Sequence, residues 1–258
     1  MKNFRKTALA ILCLLFLAGC VEINETIDIS ANGSGKLLVD MNAAQLLDII
    51  QQYAGKDDMQ KQFPNKKMDT TIYMKDMLDS AKNMPADKKE LIKDGNLHVK
   101  LDLEQKEFKT NLSFPFKSLD NLQKLYNGMG DGTLAADQLF KGLGGNTAKT
   151  SDSSSSNQGF GQFNAIYDFT VRKGLIARKL NMEKWKTLQQ NPQLDQFKQS
   201  SSMGMEVPYT ITIKLPSAVK KVDNPLAKLS DDKKTVTIKY NLMDVFESPQ
   251  KFEYSIEY

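Results

Sequence analysis

Apolar residues fill positions 8–18 almost without a break, directly after a polar and basic start. A run of about a dozen is the length of an export-signal core and falls short of the roughly 20 residues that a membrane-spanning helix needs. After Cys20 the pattern turns to alternation, with Val21, Ile23, Ile27 and Ile29 set against Glu22, Asn24, Thr26 and Asp28. Leu37 and Val39 follow Asn32-Gly33-Ser34-Gly35, so residues 21–42 are expected to form a β-hairpin whose turn draws on the positive φ that Asn and Gly tolerate. Helical spacing over residues 43–50, carried to about 53, predicts an amphipathic helix, and residues 72–82 and 85–93 predict two more, the latter with Pro85 at its start. Leu97, Val99, Leu101 and Leu103 alternate with His98, Lys100, Asp102 and Glu104, giving a second hairpin over residues 96–116. Short helices are predicted for residues 118–127 and 133–143. Residues 163–171 alternate as a strand, turn at Arg172-Lys173-Gly174 and return through Leu180, ahead of a helix over residues 182–190 that extends towards 199. Strands are predicted for residues 207–215, 219–222, 235–240 and 252–258, with Asp231-Asp232-Lys233-Lys234 as a solvated turn.

This order of elements predicts an α+β fold, in which antiparallel hairpins build a mixed sheet packed by several helices. The sharpest compositional break is residues 144–161, rich in Gly and Ser and including Ser153-Ser154-Ser155-Ser156, which is expected to be a flexible loop or linker. The chain therefore divides into a signal peptide at 1–19, a part with two hairpins and helices at 20–143, the loop at 144–161 and a β-rich part at 162–258.

Lys2, Arg5 and Lys6 precede the apolar run, which ends in Leu17-Ala18-Gly19-Cys20. Small residues before a cysteine let a peptidase approach the backbone, so the bond between Gly19 and Cys20 is the expected cleavage site and the Cys20 thiol the expected point of diacylglyceryl attachment. Cys13 follows Ile11 and Leu12, lacks the small residue before it, and leaves with the signal. Two or three acyl chains, at about 0.8 kcal/mol for each buried methylene, anchor stably where one chain is marginal. The hairpin begins at once after Cys20, so the folded part is expected to sit close to the bilayer. Val21 in place of an Asp after the cysteine favours the outer membrane over the inner one.

Cysteine usage closes further routes. With Cys13 removed and Cys20 acylated, the mature chain has no free thiol, disulfide or thiolate metal ligand, and its stability must come from a packed core. The formal charge of +4 shrinks once the signal leaves, because 35 bases become 32 against 31 acids, and no nucleic-acid partner is expected. Met68, Met74, Met77 and Met84 fall partly on one face, as core packing or as a soft groove for a ligand. His98, the sole histidine, lies on the polar side of its strand and reads as an exposed or edge residue. One histidine without a mature thiol excludes the common zinc sets and Cys-His nucleophile pairs. No Gly-x-Ser-x-Gly elbow is present, and Gly128-Met129-Gly130-Asp131-Gly132 lacks both the lysine and the preceding strand of a phosphate loop, so it reads as a plain loop. Asp57-Asp58 and Asp231-Asp232 lack the alternating oxygen ligands of a calcium loop. Trp185 sits with Leu188 on one helix face, as a packing anchor or, less simply, as a sugar platform. No catalytic residue, metal site or cofactor is predicted.

The hairpin after the lipobox, with its Asn32-Gly33-Ser34-Gly35 turn, combines with an ending of Tyr209-Thr210-Ile211-Thr212-Ile213-Lys214-Leu215-Pro216, Asp223-Asn224-Pro225 and Lys234-Thr235-Val236-Thr237-Ile238-Lys239-Tyr240. Together these resemble the LppM-type lipoprotein domain family at both ends of the chain. The resemblance implies an envelope lipoprotein with a mixed α/β fold somewhat like the BON domain, and lipid or glycolipid binding. The chain departs from that pattern in its long helical and Ser-rich middle and in having no hydrophobic helix after Tyr258, which leaves the acyl group as the expected anchor. The expected function is that of a non-enzymatic, acyl-anchored envelope lipoprotein that binds a lipid, a glycolipid or an envelope protein. A structural or assembly protein with no small ligand, and a hydrolase built on Ser and Asp, are the alternatives.

Overall fold

The structure is a computed structural model, and it describes residues 21–44, 47, 67–78, 84–130, 162–191, 194–195, 198–199 and 206–258. The first strand, β1 (Glu22–Ile29), buries Ile23, Ile27 and Ile29 on one face, as its alternation requires. It turns through residues 30–34 into β2 (Gly35–Asn42), and the pair is antiparallel with Glu22 opposite Asn42 and Ile29 opposite Gly35. Gly33 has φ +81°, and the Asn32 side-chain oxygen accepts hydrogen bonds from the Ser34 amide at 3.1 Å and the Ser34 hydroxyl at 2.8 Å. Gly35 fits its site only without a β-carbon, which would lie 1.8 Å from the Asp28 carbonyl oxygen and 2.5 Å from the Phe116 ring.

β3 (Lys67–Tyr73) leads into the short helix α1 (Met74–Leu78), and α2 (Ala86–Ile92) precedes the hairpin of β4 (Asn96–Asp102) and β5 (Glu107–Phe116). Helix α3 (Leu119–Gly130) follows, then α4 (Gln162–Ala165), β6 (Tyr167–Arg172), β7 (Leu175–Leu180) and α5 (Met182–Gln189). The remaining strands are β8 (Pro208–Lys214), β9 (Lys221–Val222), β10 (Ala227–Leu229), β11 (Thr235–Asn241) and β12 (Tyr254–Glu257), with 3₁₀ turns at Leu242–Phe246 and Pro249–Phe252.

The strands form two sheets. The larger runs β10-β11-β8-β1-β2-β5-β4-β3, and the smaller runs β6-β7-β12-β9. The fold is thus α+β, with a mixed eight-stranded sheet: β1 pairs antiparallel with β2 on one side and parallel with β8 on the other. The first strand of the chain is therefore interior to the sheet, and it joins a strand that begins nearly two hundred residues later. Ile23, Ile27, Ile211, Ile213 and Ile238 of the large sheet share one apolar core with Phe169, Ile176 and Ile256 of the small one. Helix α3 closes that core with Leu122, Leu125 and Tyr126, and it packs along β6, where the Val171 amide donates to the Gln123 side chain at 3.1 Å. Among the described residues no helix is long and apolar enough to cross a membrane.

Several elements differ from those the periodicity predicts. Residues 67–73 are an edge strand, so the helix expected from residue 72 starts at Met74. Residues 162–165 are one helical turn where a strand is expected: Phe163 and Ile166 are both buried at a spacing of three, which suits a helix face, and alternation begins only at Tyr167. Gly128, Met129 and Gly130 form the last turn of α3 in place of a loop. Residues 48–53, 133–143 and 144–161, for which helices and a Gly/Ser loop are expected, lie outside the described residues, as do Asp57 and Asp58.

Candidate functional site

Gly19 and Cys20, the predicted cleavage and lipidation residues, lie outside the described residues. Their immediate successors are firmly placed. Val21 is only 1% exposed and belongs to the main core, and Glu22 already pairs with Asn42. No spacer separates the cysteine from the folded domain.

The other predicted candidates fall into place as packing or surface. Met74 is buried in the core and Met68, Met77 and Met84 pack against it, so these side chains contribute to core packing. Trp185 is buried under α5, whose amino terminus is capped by the Asn181 side chain accepting from the Glu183 and Lys184 amides. His98 sits at the surface with its Nε2 2.8 Å from Asp69 Oδ1. Asp231 and Asp232 belong to the turn between β10 and β11, where Asp232 accepts from the Ser230 hydroxyl and the Lys234 amide. Among the described residues no group of three or more His, Cys, Asp or Glu side chains could hold a metal ion.

The most unusual chemistry lies where sequence reasoning did not look. Glu25 and Arg178 are both buried, at 1% and 0% exposure, between the two sheets. Glu25 occupies the inward phase of β1, between Ile23 and Ile27, and Arg178 the inward phase of β7, two residues after Ile176. Both sit where alternation calls for an apolar side chain. Five tyrosines surround them: Tyr209 and Tyr240 from the large sheet, Tyr167 and Tyr254 from the small one, and Tyr126 from α3. The Tyr209 hydroxyl donates to Glu25 Oε2 at 2.5 Å. Arg178 donates through Nη2 to Asn164 Oδ1 at 3.0 Å and through Nη1 to the Tyr126 and Tyr240 hydroxyls, each at 3.4 Å. Its guanidinium carbon lies 4.0 Å from the centre of the Tyr167 ring, a cation–π arrangement. Tyr126 stacks on Phe169 and Tyr209 on Tyr240, at centroid distances of 4.0 and 5.2 Å.

Burial dominates the electrostatics. It pushes the Glu25 carboxyl above its ordinary range, an effect that the Arg178 charge and the Tyr209 hydroxyl oppose without cancelling. It also pushes the hydroxyls of Tyr126, Tyr167, Tyr209, Tyr240 and Tyr254 upward, so all five remain protonated. Glu25 Oε1, Arg178 Nε and the Tyr254 hydroxyl have no hydrogen-bond partner among the described residues. A buried, incompletely satisfied network of this kind is costly, and breaking it further costs more. Its members come from both sheets and two helices, so the network spans the junction where the sheets meet.

A solvent cleft of about 390 Å³ lies elsewhere, between α2, the end of β5 and α3. Leu91 and Phe116 form its apolar part, and its walls carry Asp87, Glu90, Asp94, Asp120, Lys88, Lys117 and Lys124. These charges largely pair with one another, Lys124 with Asp120 at 2.8 Å and Lys117 with Glu90 at 3.7 Å. The cleft sits at the opposite end of the large sheet from Val21, since Phe116 pairs with Gly35 and Glu22 with Asn42.

No protein-family model matches the chain, and no curated protein matches it either. Among solved structures, the chain is similar to the NMR structure of the folded domain of LppM from Mycobacterium tuberculosis, with 8% sequence identity over 94% of this chain and 91% of that one. The TM-score is 0.36, a weak resemblance of overall shape.

Proposed function

We propose that this chain is an acyl-anchored envelope lipoprotein whose folded part serves as a binding or assembly module and not as an enzyme. The observation that carries the reading is the junction at Cys20. A basic start, a short apolar run and Leu17-Ala18-Gly19-Cys20 precede a residue, Val21, that already belongs to the core. That arrangement supports export, cleavage before Cys20 and acylation of the new amino-terminal residue, with membrane attachment through the chains. The cleft offers an envelope protein a mixed surface, an apolar part at Leu91, Pro115 and Phe116 beside paired lysines and acids.

The anchor is tested by Cys20→Ser in the native host. The substituted protein is expected to leave the membrane fraction for the soluble one, since the attachment site is gone while the fold, which begins at Val21, is intact. Unchanged membrane association would overturn the proposal. The partner is tested by a photo-crosslinker at Asn127, an exposed cleft residue. One dominant protein adduct is expected, and lipid adducts alone would count against a protein partner.

A further inference from the structure

We infer that the domain stands on its membrane by one particular end of the large sheet, the rim where β1 begins, with the turn at residues 30–34 and the cleft facing away. The inference rests on the acyl-anchored reading above and names the surface that meets the bilayer. Consecutive α-carbons are about 3.8 Å apart, so an acylated Cys20 has almost no slack before the buried Val21. β1 cannot peel away to lengthen the tether, because it is paired along both edges, with β2 and with β8.

The register then decides which residues share the rim. Glu22 is opposite Asn42, Asn42 is opposite Lys109, and Glu107 is opposite Asp102, so the β4–β5 turn with Gln105 at its tip projects past the start of β1. At the other end, Asp28 pairs with Lys214 and Lys214 with Thr235, which puts the β10–β11 turn beside the first hairpin turn. At about 3.3 Å per residue, the seven steps from Glu22 to Ile29 separate the two ends by about 23 Å. A strand that starts at the anchor and is rigid in its sheet carries its far end away from the lipid.

The described charges at the rim are paired or acidic. Lys67 is bound by Asp102 at 3.3 Å and Glu104 at 3.2 Å, and Glu22 and Glu206 add acid. Among the described residues the rim lacks the unpaired basic cluster that anionic headgroups recognise, so the inferred contact rests on the acyl chains.

The experiment uses the mature lipidated protein, extracted from its host and reconstituted into phosphatidylcholine–phosphatidylglycerol vesicles that carry a headgroup-attached quencher. Acylated Cys20 offers no thiol and Cys13 is absent from the mature chain, so a fluorophore on Gln105→Cys, Ala31→Cys or Asp231→Cys labels one exposed site each. Quenching at residue 105 is expected to exceed that at residues 31 and 231 several-fold. Equal quenching at the three sites, or stronger quenching at 31 or 231, overturns the orientation while leaving the anchor intact. A mass spectrum of the same sample with Cys20 unmodified overturns both.

Discussion

Arg178→Met is expected to lower the stability of the folded domain by about 3–5 kcal/mol, the cost typical of removing one member of a buried charged network. The substitution keeps volume and deletes the cation whose field opposes the desolvation of Glu25. It also removes the hydrogen bond to Asn164 and the stack on Tyr167, and it leaves the Tyr126 and Tyr240 hydroxyls short of a partner. Arg178→Lys keeps the charge and loses the planar fork and the stack, so its loss should fall between those of wild type and Arg178→Met. Urea unfolding of the soluble Cys20→Ser form measures all three. A loss under about 1 kcal/mol for Arg178→Met, within the range of ordinary surface substitutions, would show that the cluster does not join the sheets.

The second large effect is a pH dependence that belongs to Glu25. Its folded-state pKa lies above the ordinary value of 4.5 because burial disfavours the carboxylate. The native state therefore holds this proton more tightly than the unfolded chain does. The stabilisation it supplies is complete below about 4.5 and is lost as pH rises through the folded value. Other acids act in the opposite sense. Asp102, held low first by the Gln105 amide and then by Lys67, and Asp168, held low by Lys184, contribute stability that is lost as pH falls through their folded values. Those groups are common to the wild type and Glu25→Gln, so the difference between the two proteins isolates Glu25. Unfolding midpoints measured from about pH 4 to about pH 8 should show the wild type losing ground to Glu25→Gln as pH rises. Parallel curves would mean that Glu25 titrates as it does in the unfolded chain.

The legible parts of this fold are those where one physical preference acts alone. β1, β4, β7, β8 and β11 alternate along most of their length because one face of each meets the core, and the structure has these strands where alternation predicts. β3 is harder to read, for Met68, Thr70 and Ile72 are only half buried at a sheet edge and leave little contrast between faces. Residues 163–166 misled because Phe163 and Ala165 imitate alternation, whereas the buried pair is Phe163 with Ile166. The residues that sequence reasoning passed over at the candidate site carried a signal. Glu25 stands in phase with Ile23 and Ile27, and Arg178 with Ile176, and a charge in the apolar phase of a strand has to find a partner inside. Which partner could not be read, since the tyrosines around the pair come from α3, β6, β8, β11 and β12, and only the packing of the two sheets brings them together.

The proposed lipobox is read from local chemistry alone, which needs no fold. The most direct test of the anchored reading is the mass of the amino-terminal peptide of protein taken from native membranes. The expected peptide begins at Cys20 and carries the added mass of a diacylglyceryl thioether. A peptide that begins at Met1, or a Cys20 with a free thiol, would contradict it.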